Sequence, residues 1–298
     1  MIELAIVATR WLQYVGAAIL CGSSLFFVYA VVGPLAQPLR RDTRWMLVSG
    51  AALLTVSSLL AIGLQASLFA GSVADGFALP ALRDVVAYMP LGKAALARSI
   101  AAGAALLLLA TLPVGRGMWL AAGSLGVIAT TSLAWMGHAA ASENSAHLAA
   151  DIVHALAAAI WIGALFSFAL LTRRASGASN LAQLHDALLR FSRLGVPLVL
   201  VLALSGVANS WYLVGPANFN ELPSDPYGQL LLLKLLAFAA MLVLAAINRY
   251  RLTPALSGPS GGAGFVQLRR SILLEGLLGT VTLGLVAWLG TLEPLALL

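Results

Sequence analysis

Three of the chain's four histidines lie close together: His138, His147 and His154, with Asp151 between the last two. Imidazole nitrogen suits copper, zinc, iron and nickel. A nearby carboxylate either joins the ligands or orients a ring through its second nitrogen. Positions i, i+4 and i+7 share one helix face, so His147, Asp151 and His154 would descend one side of a helix over roughly 10 Å. Met136, two residues before His138, could add a thioether for Cu(I), although a methionine here is more often packing. Membrane histidines can also simply hydrogen-bond neighbouring helices, with Asp151 holding one of them. The clustering favours a metal or proton site, because ionisable groups inside a membrane are costly and usually functional.

The elements that must position these residues are membrane helices. The 298 residues are 61% hydrophobic and only 9% charged, with mean hydropathy +0.95; soluble domains carry about 25% charged residues. A hydrocarbon core of about 30 Å needs roughly 20 apolar residues per helix, and eight segments qualify: 8–33, 46–71, 92–113, 118–138, 147–171, 193–214, 229–250 and 271–291. The expected fold is all-α, a polytopic membrane protein with eight transmembrane helices in one membrane domain. The first segment lacks a basic leader and a small-residue cleavage site, so it reads as a retained helix. Cys21 is the sole cysteine, which excludes an intrachain disulfide and makes it an apolar filler.

Twelve of the 17 basic residues fall after the odd-numbered segments: Arg40, Arg41, Arg44, Arg116, Arg173, Arg174, Arg190, Arg193, Arg249, Arg251, Arg269 and Arg270. They read as cytoplasmic loops, which places both termini in the periplasm of a bacterial inner membrane. Net charge +6 is explained by this asymmetry, and no nucleic-acid role is assigned.

The chain also echoes itself. Residues 17–22 resemble 158–163, Ser49-Gly50 resembles Ser205-Gly206, Gly92 with Arg98 resembles Gly228 with Lys234, and Gly123, Gly126 and Trp135 match Gly276, Gly279 and Trp288. Two parallel four-helix halves are expected, 1–138 and 139–298, about an axis along the membrane normal. In the first half Gln13 stands where His154 stands, and Arg10 where Asp151 stands. Only one half carries the ligand set.

Gly137-His138-Ala139, the run His147 to His154, Trp161-Ile162-Gly163, Ser205-Gly206, Tyr227-Gly228 with Lys234, and Asn248-Arg249 with Pro254 together resemble the copper resistance protein D family. The likeness spans roughly 135–255. It implies copper handling at the periplasmic face and delivery across the inner membrane, often beside a small periplasmic copper-binding partner of the copper resistance protein C type. This chain has no methionine-rich periplasmic domain.

Other residues have quieter expected roles. Arg10, Arg98 and Lys234 should snorkel to the interface, with pairing of Asp151 as the lesser reading. Trp161 should pack at mid-membrane. Glu275 follows Arg269 and Arg270, so a snorkelled salt bridge is expected ahead of a proton-relay role. Asn209 and Gln65 should hydrogen-bond between helices. The fourth histidine, His185, is expected in a cytoplasmic loop.

The sequence therefore reads as a copper-binding permease rather than an enzyme, capturing copper ion with His138, His147, Asp151 and His154 and importing it without a nucleotide site. Two alternatives stand beside it. One is a haem-binding redox bundle in which histidines serve as axial ligands; the other is a copper sensor or scaffold that binds without flux.

Overall fold

Long apolar runs must bury their backbone hydrogen bonds within themselves in a bilayer, and helices do so. The structure, a computed structural model, describes residues 2–31, 33, 35–137, 144–175, 178–256 and 261–297, and these contain no strand. Eight helices are long and apolar enough to cross a membrane: Ile2–Ala30, Gln37–Ala70, Pro90–Thr111, Arg116–Met136, Ser145–Arg174, Asn180–Leu213, Pro226–Ala255 and Gly264–Leu289. They are called the first to eighth spans below.

The starts follow local chemistry. Proline opens the third and seventh spans, where its missing N–H is not needed. Asp225 caps the seventh by accepting from the N–H groups of Tyr227 and Gly228, and Asn144 caps the fifth by accepting from Ala146 and His147. The Asn144 cap fixes the first turn of the fifth span, and His147 with it.

Several expected loops are helical instead. The second span begins at Gln37 and the sixth extends back past His185, so Arg40, Arg41, Arg44, His185, Arg190 and Arg193 lie on helix, not in loops. The charged turns continue the helix beyond the apolar run because their side chains find partners there. Arg40 and Arg44 donate to the carbonyls of Val114 and Leu112 (3.2 and 2.6 Å), and Arg174 pairs with Asp42 at 2.6 Å. Two short helices, Val73–Gly76 and Leu79–Tyr88, join the second span to the third.

Consecutive spans pack side by side, and the fourth returns to the first and the eighth to the fifth, with one exception. The second and third spans pack extensively, whereas the sixth and seventh stand apart along much of their length. The first four spans meet the last four chiefly where the first packs on the fifth, with the first also on the eighth and the fourth on the fifth. Between the first and fifth a π-helical turn, Ala18–Ser23, brings backbone against backbone. A Cβ on Gly22 would fall 1.9 Å from the carbonyl oxygen of Ala159, and one on Gly163 would fall 2.3 Å from that of Ala18. Only glycine permits this approach. Ser23 Oγ donates to the Gly163 carbonyl at 2.9 Å, and Phe26 packs edge-on against Phe168 with centroids 4.7 Å apart.

Candidate functional site

Helix periodicity puts His147, Asp151 and His154 on one face of the fifth span, and that face meets the sixth. His147 is buried and stacks on the ring of Tyr212, with centroids 4.7 Å apart and planes 19° from parallel. Asp151 Oδ1 faces the amide of Asn209, Nδ2 to Oδ1 being 3.4 Å. His154 Nδ1 lies 3.0 Å from Ser205 Oγ. Because the two spans are antiparallel, 147, 151 and 154 descend while 212, 209 and 205 ascend, three rungs matched one to one. Both sets span seven residues, so the outer rungs fall at matching depths, while the middle rung, four residues below His147 but three below Tyr212, is offset by one residue, about 1.5 Å.

The lowest rung determines a tautomer. Ser205 Oγ has one hydrogen and donates it to the Val201 carbonyl at 2.6 Å. At 3.0 Å from His154 Nδ1 it therefore accepts, which places an imidazole proton on Nδ1; the Leu202 backbone is a further partner of the ring, and in the neutral Nδ1–H ring the lone pair is on Nε2. A Cβ on Gly206 would stand 3.5 Å from His154 Cε1, an ordinary contact distance, so the sixth span's backbone passes close beside the ring. Above, Asn209 Oδ1 is buried with no hydrogen-bond partner among the described residues. Together with the Asp151 carboxylate it makes an acceptor-rich patch, suited to a cation.

Other charges surround this ladder. Lys234 of the seventh span lies within electrostatic reach of both Asp151 and His154, and Tyr14 and Tyr227 within reach of Asp151. Arg98 does not snorkel as expected. It is fully buried and turned inward, where Nη1 contacts Gln13 Oε1 and Met136 Sδ at 3.1 Å while Nε and Nη2 donate to the hydroxyl and carbonyl of Ser132 at 3.0 Å. Four fixed acceptors hold the guanidinium better than an interface could. Arg10 likewise turns to helix ends, donating to the carbonyls of Gly290 and Met136 that close the eighth and fourth spans.

The structure therefore brings together His147, Asp151 and His154 along one seam, and places the Met136 thioether against Arg98 instead. His138 lies outside the described residues. Its neighbour Gly137 does not: a Cβ there would stand 3.6 Å from Asp151 Oδ2, so the fourth span ends against the carboxylate. Among the described residues no three of His, Cys, Asp and Glu converge closely enough to hold one ion together. The helix explains this, since seven residues rise about 10.5 Å, too far for His147 and His154 to share one coordination sphere.

Sequence reasoning missed Tyr212 and the pairing role of Ser205. The signal was present, a second i, i+4, i+7 polar series on the next span, but serine, asparagine and tyrosine are common enough in membrane helices to pass as packing. Glu275 was also misread. It is 2% exposed and, among the described residues, has no arginine ion-pair partner; Trp161 Nε1 and Asn248 Nδ2 each donate to one of its oxygens at 3.0 Å.

Comparison with known proteins extends the likeness beyond the stretch 135–255. The family described as Copper resistance protein D matches residues 185–289, and that described as Copper resistance protein D-like, N-terminal domain matches residues 1–148. Copper resistance protein D of Pseudomonas syringae pv. tomato is 34% identical over 303 residues, covering 97% of this chain and 96% of the relative. Inner membrane protein YebZ of Escherichia coli (strain K12) is 34% identical over 167 residues, covering 54% of this chain and 55% of YebZ. Copper transport protein CutJ of Bacillus subtilis (strain 168) is 31% identical over 116 residues, covering 39% of this chain and 21% of CutJ. No solved structure matches. With sequence identity running the length of the chain and eight membrane-spanning helices beneath it, this multi-pass inner-membrane protein belongs to the copper resistance protein D family.

Proposed function

We propose that the chain is a copper carrier that accepts the ion at the periplasmic end of the fifth span and passes it inward. The observation that carries this reading is the three-rung seam, in which each potential ligand on the fifth span is held by its own partner on the sixth. His154 is oriented by Ser205 and by the Leu202 backbone on the sixth span, and outer partners of this kind fix imidazole ligands in metal sites. Since His147 and His154 are too far apart to bind together, the seam reads as two overlapping half-sites that share Asp151. Copper bound by His138 and His147 at the rim would step past Asp151 to His154. Movement in such steps suits a cargo that must be released as well as captured.

The two-repeat reading is supported by packing. Gly22 and Gly163, equivalent by sequence, meet each other at the centre of the interface, as residues on a two-fold axis must. Gly92 and Gly228 each receive a carbonyl, from Val85 and Leu222, within 2.2 Å of where a Cβ would be. One pairing shifts register: Gln13, the counterpart of His154, donates to the carbonyl of Ser57 at 3.1 Å. Ser57 therefore corresponds in depth to Ser205, and Ser49 does not. In this reading the arginine-bearing end is cytoplasmic, both termini are periplasmic, and a copper resistance protein C type partner presents the ion.

Competition titration with Cu(I) and Cu(II) tests the site. The double variant His147→Ala, His154→Ala should lose binding that His185→Ala keeps. Parent-like affinity in the double variant, or a haem Soret band in the purified protein, would overturn the assignment. Copper uptake into oriented proteoliposomes tests direction, and binding without uptake would make the protein a sensor or scaffold.

A further inference from the structure

The gap between the sixth and seventh spans has no counterpart in the first half, and a buried carboxylate lies in its wall. The cavity there measures about 270 Å³ and is walled chiefly by apolar side chains such as Leu165, Phe168 and Val199, with Trp161, Asn248 and Glu275 among the lining residues. Exposed Val196, Leu200 and Tyr250 line it as well, so it opens between those two spans in the arginine-bearing half. The position equivalent to Glu275 in the first half is Ala122, which is fully buried, and the second and third spans of that half pack together.

Glu275 has an unusual set of partners for a membrane carboxylate. Its two oxygens take one neutral donor each, Trp161 Nε1 and Asn248 Nδ2. The other titratable or charged groups lining the cavity, among the described residues, are Arg249 and Tyr250. Arg249 is engaged elsewhere: Nη1 donates to the Ser192 carbonyl at 2.8 Å and its guanidinium lies 5.3 Å from the centre of the Tyr250 ring. Neither the fifth span nor the sixth presents a charged side chain to the cavity, and on the eighth span Glu275 alone does so. Two neutral hydrogen bonds do not offset a full buried charge.

Asn248 resolves the difficulty in both directions. Its amide nitrogen serves the carboxylate, while its Oδ1 is buried with no hydrogen-bond partner among the described residues. Rotating the amide by half a turn would present Oδ1 to the same position and accept from a carboxylic acid O–H. An asparagine beside a carboxyl group can thus satisfy either protonation state. It stands at the start of a π-helical turn, Asn248–Leu252, an irregularity that frequently marks functional positions.

We propose that Glu275 is an exchangeable intramembrane proton site, reached through the cavity between the sixth and seventh spans and served in both protonation states by the Asn248 amide. A hard oxygen pair favours a proton over soft Cu(I), so the site is separate from the copper seam. In a copper carrier it would supply the coupling ion, and that consequence alone rests on the copper reading.

The test uses copper-free protein in lipid nanodiscs. Infrared difference spectra between about pH 5 and 9 should show a protonated-carboxyl stretch that grows as pH falls and is absent from Glu275→Gln; in Asn248→Leu the band should persist at a shifted frequency. Carbodiimide, which modifies protonated carboxyls in apolar surroundings, should label Glu275 of the parent increasingly at lower pH, a readout that needs no variant to fold. A spectrum without a Glu275-dependent band that varies with pH, or labelling that does not vary with pH, overturns the proposal. Copper flux under an imposed pH gradient is measured separately, and failure of the parent to carry copper would count against the copper reading alone.

Discussion

Replacing Ser205 by alanine removes one oxygen and should disturb copper binding through a residue that need not touch the ion. In the parent, Ser205 Oγ donates to Val201 O at 2.6 Å and accepts from His154 Nδ1 at 3.0 Å. The variant removes one of the ring's two partners on the sixth span, leaving the Leu202 backbone, and so loosens the ring and its choice of tautomer. A neutral hydrogen bond contributes about 0.5–1.5 kcal/mol net, which biases the tautomer roughly 2- to 13-fold, since about 1.4 kcal/mol corresponds to tenfold. Adding the loss of ring orientation brings the expected weakening to about 10-fold, at the lower end of the range for outer partners of metal ligands. Competition titration with a Cu(I) chelator would measure it in detergent-solubilised protein. Ser205→Thr keeps the hydroxyl and should restore most of the affinity, which separates tautomer control from packing. Parent-like affinity in Ser205→Ala would refute the argument that His154 binds through Nε2 with its tautomer set from the sixth span. Equal losses in the alanine and threonine variants would refute the hydrogen-bond mechanism.

Other expected outcomes follow from the same geometry. Gly163→Ala should lower the detergent unfolding temperature by overpacking, on the order of 1–3 kcal/mol, because its Cβ meets backbone of the first span. Gly103→Ala, with nothing within 4 Å, should be neutral or stabilising by thermal denaturation, and equal behaviour of the two would contradict the tight crossing. Asp151→Asn should weaken copper by more than about 100-fold if the carboxylate is itself a ligand and by about 10- to 100-fold if it only orients histidine. Lys234→Gln should tighten binding, since the ammonium competes for the same carboxylate; weaker binding in that variant would contradict the competition. Protons compete with copper for imidazole lone pairs, so affinity should fall as pH drops. Titrations at stepped pH check this, and affinity rising toward acid would exclude histidine ligation.

The class of the protein was legible from composition and run length alone. Eight apolar segments of spanning length cannot leave their backbone groups unpaired in lipid, so eight helices follow before any packing is known. The shared face of His147, Asp151 and His154 follows equally from helical periodicity. Where the spans meet was not legible, because leucine and alanine pack in many ways. The local pattern did not say that the fifth span's polar face turns to Tyr212, Asn209 and Ser205, that Arg98 bends inward to Gln13 and Ser132 instead of snorkelling, or that Glu275 lies between Trp161 and Asn248 instead of beside Arg269. A buried polar side chain takes whichever partner the neighbouring helix brings within about 3 Å. That helix is brought there by contacts such as Gly22 against Gly163, where the absence of two Cβ atoms sets the distance between the halves. Residue types and spacing determined what chemistry the chain could hold; tertiary packing decided which groups face one another, because hydrogen bonds and desolvation act over ångströms that no single helix specifies.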